Sequence, residues 1–101
     1  MNMEYFVKQI REESEGARDY IDKAVEAKVS HPMWSQTFCS MSEMEMSHAE
    51  NLIKMLEVFI RDSKKDTTSV TSTVMPEDAF KECVKDYTEM KTYVCNMKRG
   101  L

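Results

Sequence analysis

The sequence predicts an all-α protein with two long antiparallel helices and a shorter third helix. Its 101 residues contain only two glycines and two prolines, which leaves little material for turns. Apolar residues recur at alternating spacings of three and four, the period of an amphipathic helix. Hydrophobic residues at 42% and charged residues at 32% are typical of a soluble globular chain. We therefore expect a single helical domain over residues 1–101.

Prolines and one polar run divide the chain into helices. Pro32 is expected to begin a helix, because proline is tolerated in a first turn and disfavours helix just before it. The Ser- and Thr-rich run 62–73, DSKKDTTSVTST, indicates a loop. Pro76 and the two acidic residues after it favour a new helix N-terminus. The predicted helices are 3–29, 33–62 and 76–98, with a loop at 63–75.

An apolar stripe, predicted to face the core, runs along each of these helices. In the first and third helices the stripes consist of Met3, Phe6, Ile10, Ala17, Tyr20, Ala24 and Ala27, and of Phe80, Cys83, Tyr87, Met90, Val94 and Met97. In the second helix the stripe consists of Trp34, Phe38, Met41, Leu52, Met55 and Phe59, with Trp34 and Phe38 interpreted as core or helix-pair interface. Ionisable residues occupy the missing positions of the first two stripes: Glu13, Glu45 and His48.

These three interruptions point to a metal site. An unpaired carboxylate in a core costs several kcal/mol, so it must be paired, protonated or metal-bound. No Lys or Arg lies on a stripe, and a hydrogen bond from Tyr20 would satisfy only part of one carboxylate. Glu45 and His48, three residues apart, project from one helix face and can reach the same ion. Carboxylates with one imidazole suit iron, or alternatively manganese.

The same residues resemble the ferritin-like superfamily, rubrerythrins and ferritins included, over about the first 60 residues. In that family the first helix carries Glu followed seven residues later by Tyr, similar to Glu13 and Tyr20 in EESEGARDY. The second carries Glu-x-x-His-Ala-Glu and an aliphatic residue, similar to EMSHAENL at 45–52. The resemblance implies a di-iron centre with Glu13, Glu45 and His48 as catalytic metal ligands. It also implies that Tyr20 is a catalytic partner of those ligands.

One chain supplies only half of the family's ligand set. The sequence has no second Glu-x-x-His, and its other histidine, His31, lies in a predicted turn. Encapsulated ferritins are a similar branch with half-length chains, and they build the site between two subunits. The resemblance therefore implies a ferritin-like four-helix bundle completed in a homodimer or higher even oligomer. The terminal MKRGL is not an identifiable encapsulin-targeting tail, so a shell or larger assembly stays open as a partner.

Two functions remain open. The first is a ferroxidase-type oxidoreductase that oxidises Fe(II) for iron storage or detoxification. The second is a non-catalytic helical-bundle interaction or structural protein of a larger assembly that retains the ferritin-like pattern. Peroxidase chemistry of the rubrerythrin type is less favoured, because no rubredoxin-like CxxC pair occurs. Two of these residues also have simpler interpretations. His48 could be a hydrogen-bonded histidine in the core or at an interface, and Tyr20 could be an aromatic residue of the core.

Net charge and cysteine content indicate which classes of partner and which cellular location to expect. The net charge of −4 and the absence of a basic stripe argue against nucleic acid as a partner. No apolar run is long enough to span a membrane, and no signal-peptide pattern is present. The three cysteines, without a CxxC pair, indicate reduced and mostly buried thiols. We expect a cytoplasmic protein, or one inside a protein compartment.

Overall fold

The computed structural model describes residues 2–65 and 77–101. These residues form α1 (Met3–Ala27), α2 (Pro32–Lys65) and α3 (Glu77–Arg99). The prediction of an all-α protein with two long helices and a shorter third helix is confirmed. Within the described residues, no helix is both long and apolar enough to cross a membrane.

The helix ends follow from local chemistry. Asn2 caps α1, since its side chain accepts a hydrogen bond from the Tyr5 amide at 3.0 Å. α2 runs to Lys65, three residues beyond the predicted end at residue 62. No proline or glycine interrupts the chain there, and lysines favour the negative end of a helix dipole. The rest of the predicted loop, residues 66–75, and the predicted start at Pro76 lie outside the described residues.

The helices form an antiparallel pair with a third helix against it. α1 and α2 run antiparallel, because Phe6 near the start of α1 contacts Phe59 near the end of α2, with ring centroids 5.7 Å apart. α3 runs parallel to α1, and the Tyr93 hydroxyl of α3 donates a hydrogen bond to Asp22 of α1. At the same end of the molecule, Lys28 donates to the carbonyl of Gly100 at 2.5 Å.

Small side chains bring α1 and α2 close together. Ser42, fully buried, donates a hydrogen bond to the carbonyl of Ala17 at 2.6 Å. Ser35, about two turns towards the N-terminus of α2, donates in the same way to the carbonyl of Ala24 at 2.6 Å. Short side chains permit close helix packing, and these hydroxyls satisfy their own hydrogen-bonding needs on the opposite backbone.

Two apolar clusters fill the space that α3 covers. One contains Met3, Phe6, Ile10, Ile53, Leu56 and Cys83, and the other contains Ala17, Ile21, Ala24, Met46 and Val94. The stripes predicted for α1 and α3 supply most of these residues, and their remaining members are half-buried. Of the cysteines, Cys83 is buried and Cys39 is half-buried, whereas Cys95 is exposed, so its predicted burial is wrong.

The stripe predicted for α2 is only partly core within one chain. The buried face of α2 lies beside it and consists of Ser35, Ser42, Met46, Ala49, Ile53 and Leu56. On the predicted stripe, Trp34 is 58% exposed and Met55 is 50% exposed, and the other four apolar members are half-buried. Periodicity counts apolar residues only, so it missed serines that face α1 through hydrogen bonds to its carbonyls. The apolar stripe of α2 therefore lies at the edge of the core: Phe38, Leu52 and Phe59 pack against the apolar clusters. Trp34 and Met55 are exposed.

Candidate metal centre

The middle parts of α1 and α2 bring three predicted site residues together. Glu13 of α1 lies beside Glu45 and His48 of α2, and each offers one ligand atom within 4.8 Å of the other two. Glu45 and His48 meet on one face because residues three apart lie nearly one turn from each other. The antiparallel pairing of α1 and α2 then sets Glu13 opposite them.

Glu13 has an unsatisfied oxygen inside this group. Its Oε2 atom is buried and accepts no hydrogen bond. Nδ1 of His48 approaches that oxygen at 3.4 Å, which permits electrostatic attraction without a hydrogen bond. The His48 side chain is 51% exposed and that of Glu13 is 24% exposed. A buried carboxylate oxygen without a donor is costly, and a bound cation would satisfy it.

Glu45 is electrostatically coupled to Glu13. Hydrogen bonding to the Glu13 carboxyl, partial burial and the negative charge of Glu13 raise the pKa of Glu45, and nearby His48 opposes this. Two carboxylates held together disfavour a second negative charge. The metal-free cluster thus holds repelling groups that a cation would stabilise.

The Glu45 carboxylate packs against α1 at Gly16, where no side chain is present. A Cβ at Gly16 would lie 3.3 Å from Oε2 of Glu45 and 3.6 Å from its carboxyl carbon. Glycine inside a helix costs about 1 kcal/mol relative to alanine, so its presence there needs a local reason. Here the missing side chain leaves room for a carboxylate. Hydrophobic periodicity assigns Gly16 no role, although a glycine inside a predicted helix, three residues after Glu13, indicates a close contact there.

The cluster faces away from α3. Glu43, two residues before Glu45, forms an ion pair with Lys98 of α3, with Oε1 and Nζ 2.6 Å apart. Two residues turn a helix by about 200°, so Glu43 and Glu45 lie on opposite sides of α2. The centre therefore opens on the flank of α2 that carries the partly exposed apolar stripe.

The residues present fit a hard metal ion. The unpartnered oxygen of Glu13, the carboxylate of Glu45 beside Gly16 and the His48 imidazole form the mixed oxygen and nitrogen donor set that iron and manganese accept. Three side chains cannot saturate an octahedral ion, so further ligands must come from the open side of the cluster.

Tyr20 lies apart from Glu13, Glu45 and His48. Seven residues separate it from Glu13, which corresponds to about 10 Å along α1. Its ring stacks on Phe38 with centroids 6.3 Å apart, and Nζ of Lys23 lies 5.6 Å from the ring centroid. The predicted role of Tyr20 as a partner of the ligands stays a prediction. His31 is also remote, exposed and stacked on Trp34 with centroids 3.8 Å apart.

A family model described as rubrerythrin matches residues 4–97. The chain belongs to the rubrerythrin family. This family lies in the ferritin-like di-iron superfamily, so the resemblance seen in the first two helices is confirmed and extends over α3. Rubrerythrin-type domains bind iron, in agreement with the donor set of Glu13, Glu45 and His48. Comparison with curated proteins and with solved structures gave no match.

Proposed function

We propose that this rubrerythrin-family chain binds iron at Glu13, Glu45 and His48 and oxidises Fe(II), for iron storage or detoxification. The observation that carries the proposal is the grouping of two carboxylates and an imidazole within 4.8 Å in the middle of the bundle. That grouping occurs in a family whose domains bind iron.

Each residue has a distinct part in this proposal. Oε2 of Glu13 is desolvated and accepts no hydrogen bond, so it would bind a cation without first losing one. Glu45 lies beside both the Glu13 carboxylate and the His48 imidazole, so it would be the carboxylate that holds the iron together with each of them. Iron bound there would supply the electrons that reduce dioxygen. Anionic oxygen ligands stabilise Fe(III) more than Fe(II), because the product ion carries the higher charge.

A second copy of the chain would complete the proposed site. Among the described residues of one chain, the ligand cluster contains two carboxylates and one imidazole. Two copies facing each other would supply four carboxylates and two imidazoles, the full set of the di-iron carboxylate bundles. The open side of the cluster is where those further ligands would have to enter.

Iron content and oxygen consumption test the proposal. The untagged protein should retain iron and consume dioxygen when Fe(II) is added. The substitution Glu45→Ala should abolish this consumption, because the remaining ligands cannot hold two ions together. The matched substitution Glu43→Ala, two residues away on the opposite side of α2, should change the rate little.

A second control separates the site from general surface charge. Glu12 adjoins Glu13 but is exposed and lies 4.0 Å from Lys8, so Glu12→Ala should also leave oxygen consumption nearly unchanged. Equal losses in all three variants would show that surface charge attracts the iron. Bound iron without oxygen consumption would instead favour the non-catalytic reading, a helical-bundle protein with a structural metal.

A further inference from the structure

Methionines are concentrated on the helix that carries two of the three candidate ligands. Five of the ten methionines of the chain lie on α2: Met33, Met41, Met44, Met46 and Met55. Met33, Met44 and Met55 expose 80%, 58% and 50% of their surface. Methionine ordinarily fills gaps in apolar cores. Exposed thioethers repeated along one helix therefore indicate a role besides packing.

Two of these methionines lie next to candidate ligands. Met41 precedes Glu45 by four residues, and Met44 precedes His48 by four. Residues four apart on a helix have Cβ atoms about 5–6 Å from each other. Helical side chains also lean towards the helix N-terminus. Glu45 and His48 therefore reach towards the turn of α2 that carries Met41 and Met44.

The other methionines of α2 allow distance and exposure to be separated. Met33 and Met55 each lie eleven residues from Met44, about 16 Å along the helix axis. Eleven residues make nearly a whole number of turns, so these three lie on almost the same side of α2. Met46 is adjacent to Glu45 in sequence, but it is buried in the apolar core and only 8% exposed.

We propose that Met41 and Met44 consume hydrogen peroxide at the iron centre, by oxidation of their thioethers to sulfoxide. The proposal rests on the proposed function, which supplies the peroxide: dioxygen takes up one electron from each of two Fe(II) ions and two protons. At the methionine, an S–O bond forms and the O–O bond breaks. The sulfur is oxidised by two electrons, and the second oxygen leaves as water with both protons of the peroxide. Reductases restore methionine from its sulfoxide, so the same side chains can react again.

Position explains why these two side chains should react before more exposed ones. Free peroxide reaches thioethers according to their accessibility, which favours Met33. Peroxide at the metal centre is instead held beside its neighbours, and proximity of this kind raises reaction rates. Met41 is half-buried and Met44 is exposed, so bulk access alone would give them different rates. Both would protect the imidazole of His48, which is itself oxidisable.

Peptide mass spectrometry that locates methionine sulfoxide tests the proposal. One sample is loaded with iron, freed of unbound iron and treated with limiting hydrogen peroxide, and metal-free protein is treated in the same way. In the metal-free protein, oxidation should follow exposure, with Met33 first and Met41 well behind it. Iron should raise the oxidation of Met41 and Met44 relative to Met33 by at least about tenfold. Met55, as far from Met44 as Met33 is, should behave like Met33.

Variants of the site control for exposure and for folding. Treated with iron in the same way, Glu43→Ala should keep the pattern of the parent, whereas Glu45→Ala should return to the order set by exposure. The double substitution Met41→Leu and Met44→Leu keeps size and helix propensity. In that variant the added oxygen should appear on His48, and fewer additions of peroxide should release the iron.

The outcomes distinguish this proposal from the proposed function. An iron-loaded protein that consumes dioxygen but oxidises Met41 and Met44 no faster relative to Met33 overturns the role of the two thioethers and leaves the proposed function standing. Selective oxidation in an iron-loaded protein that consumes no dioxygen upholds their reaction with peroxide and contradicts Fe(II) oxidation by dioxygen. The same selectivity in Glu45→Ala, or a parent protein that retains no iron, overturns the proposal.

Discussion

The carboxylate of Glu45 lies directly over Gly16, with Oε2 3.3 Å from the position that a Cβ of Gly16 would occupy. A side chain at that position would have to displace the carboxylate by a few tenths of an ångström or turn it away. In the proposed site Gly16 would therefore position the ligand Glu45 without itself binding metal. Outer residues that orient a ligand commonly change metal affinity by about 10- to 100-fold.

The substitution Gly16→Ala should separate metal binding from folding. We expect iron or manganese affinity to fall by about tenfold, because the new methyl group crowds Glu45. The melting temperature of the metal-free protein should stay constant or rise, since alanine favours a helix by about 1 kcal/mol over glycine. Titration calorimetry and thermal unfolding measure the two effects. Unchanged affinity would show that Glu45 binds no metal at this place.

The substitution Glu45→Gln tests whether the cluster repels itself without metal. The pKa of Glu45 is raised in the fold by the Glu13 carboxyl, by burial and by the charge of Glu13. A carboxyl whose pKa is higher folded than unfolded lowers stability as pH rises above its unfolded pKa. At neutral pH the metal-free glutamine variant should therefore be as stable as the parent or more stable. That advantage should vanish at acid pH, where the parent carboxyl is protonated.

The same variant should lose most of the stabilisation that Fe(II) or Mn(II) gives the parent. Thermal unfolding of both proteins with and without metal measures this. If the three residues formed a satisfied hydrogen-bond network instead, the variant would lose about 1–3 kcal/mol and metal would make no difference. A metal-insensitive parent with a clearly destabilised variant would contradict the site.

The ion pair between Glu43 and Lys98 should contribute stability that is lost in acid. The pKa of Glu43 is lowered, chiefly by the hydrogen bond from Lys98 and further by its charge and by the Cys39 thiol, against the effect of burial. A lowered carboxyl pKa gives stability above the unfolded pKa that disappears as pH falls through the folded pKa. Glu43→Gln should therefore destabilise the protein slightly at neutral pH and not at low pH. Urea unfolding at both pH values measures the difference, and equal losses at both would contradict this explanation.

Ser42 should contribute to the free energy of unfolding more than to metal affinity. Its hydroxyl joins α2 to the carbonyl of Ala17 at 2.6 Å in a fully buried position. Ser42→Ala should cost about 1 kcal/mol of unfolding free energy, and the spacing of the helices should persist because the side chain stays small. Metal affinity should change little. A large loss of affinity without loss of stability would mean that Ser42 acts on the ligands rather than on helix packing.

The fold could be predicted where hydrophobic periodicity coincides with burial. α1 buries Phe6, Ile10 and Ala17 as the three-and-four spacing predicts. α2 departs from the prediction, because Ser42 fills its contact with α1 while Trp34 and Met55 stay exposed. Periodicity weighs apolar character and cannot recognise a serine buried through its hydrogen bond. Nor can it tell a core face from a face that a second copy could cover.

The cluster of Glu13, Glu45 and His48 could be predicted because these residues interrupt the apolar stripes. Glu13, Glu45 and His48 occupy positions where apolar residues are expected, and the structure brings them together. The contribution of Gly16 depends on a distance across two helices, which no local pattern contains. The role expected of Tyr20 depends on residues that one chain does not place beside it.

Sedimentation of the parent protein with and without Fe(II) under anaerobic conditions tests the shared site most directly. Metal that binds only the assembled site favours assembly by mass action. The proposed site therefore predicts that Fe(II) shifts the protein to dimers or higher even oligomers. The bound iron should sediment with these oligomers and not with the monomer. A monomer carrying its full complement of iron would contradict the shared site.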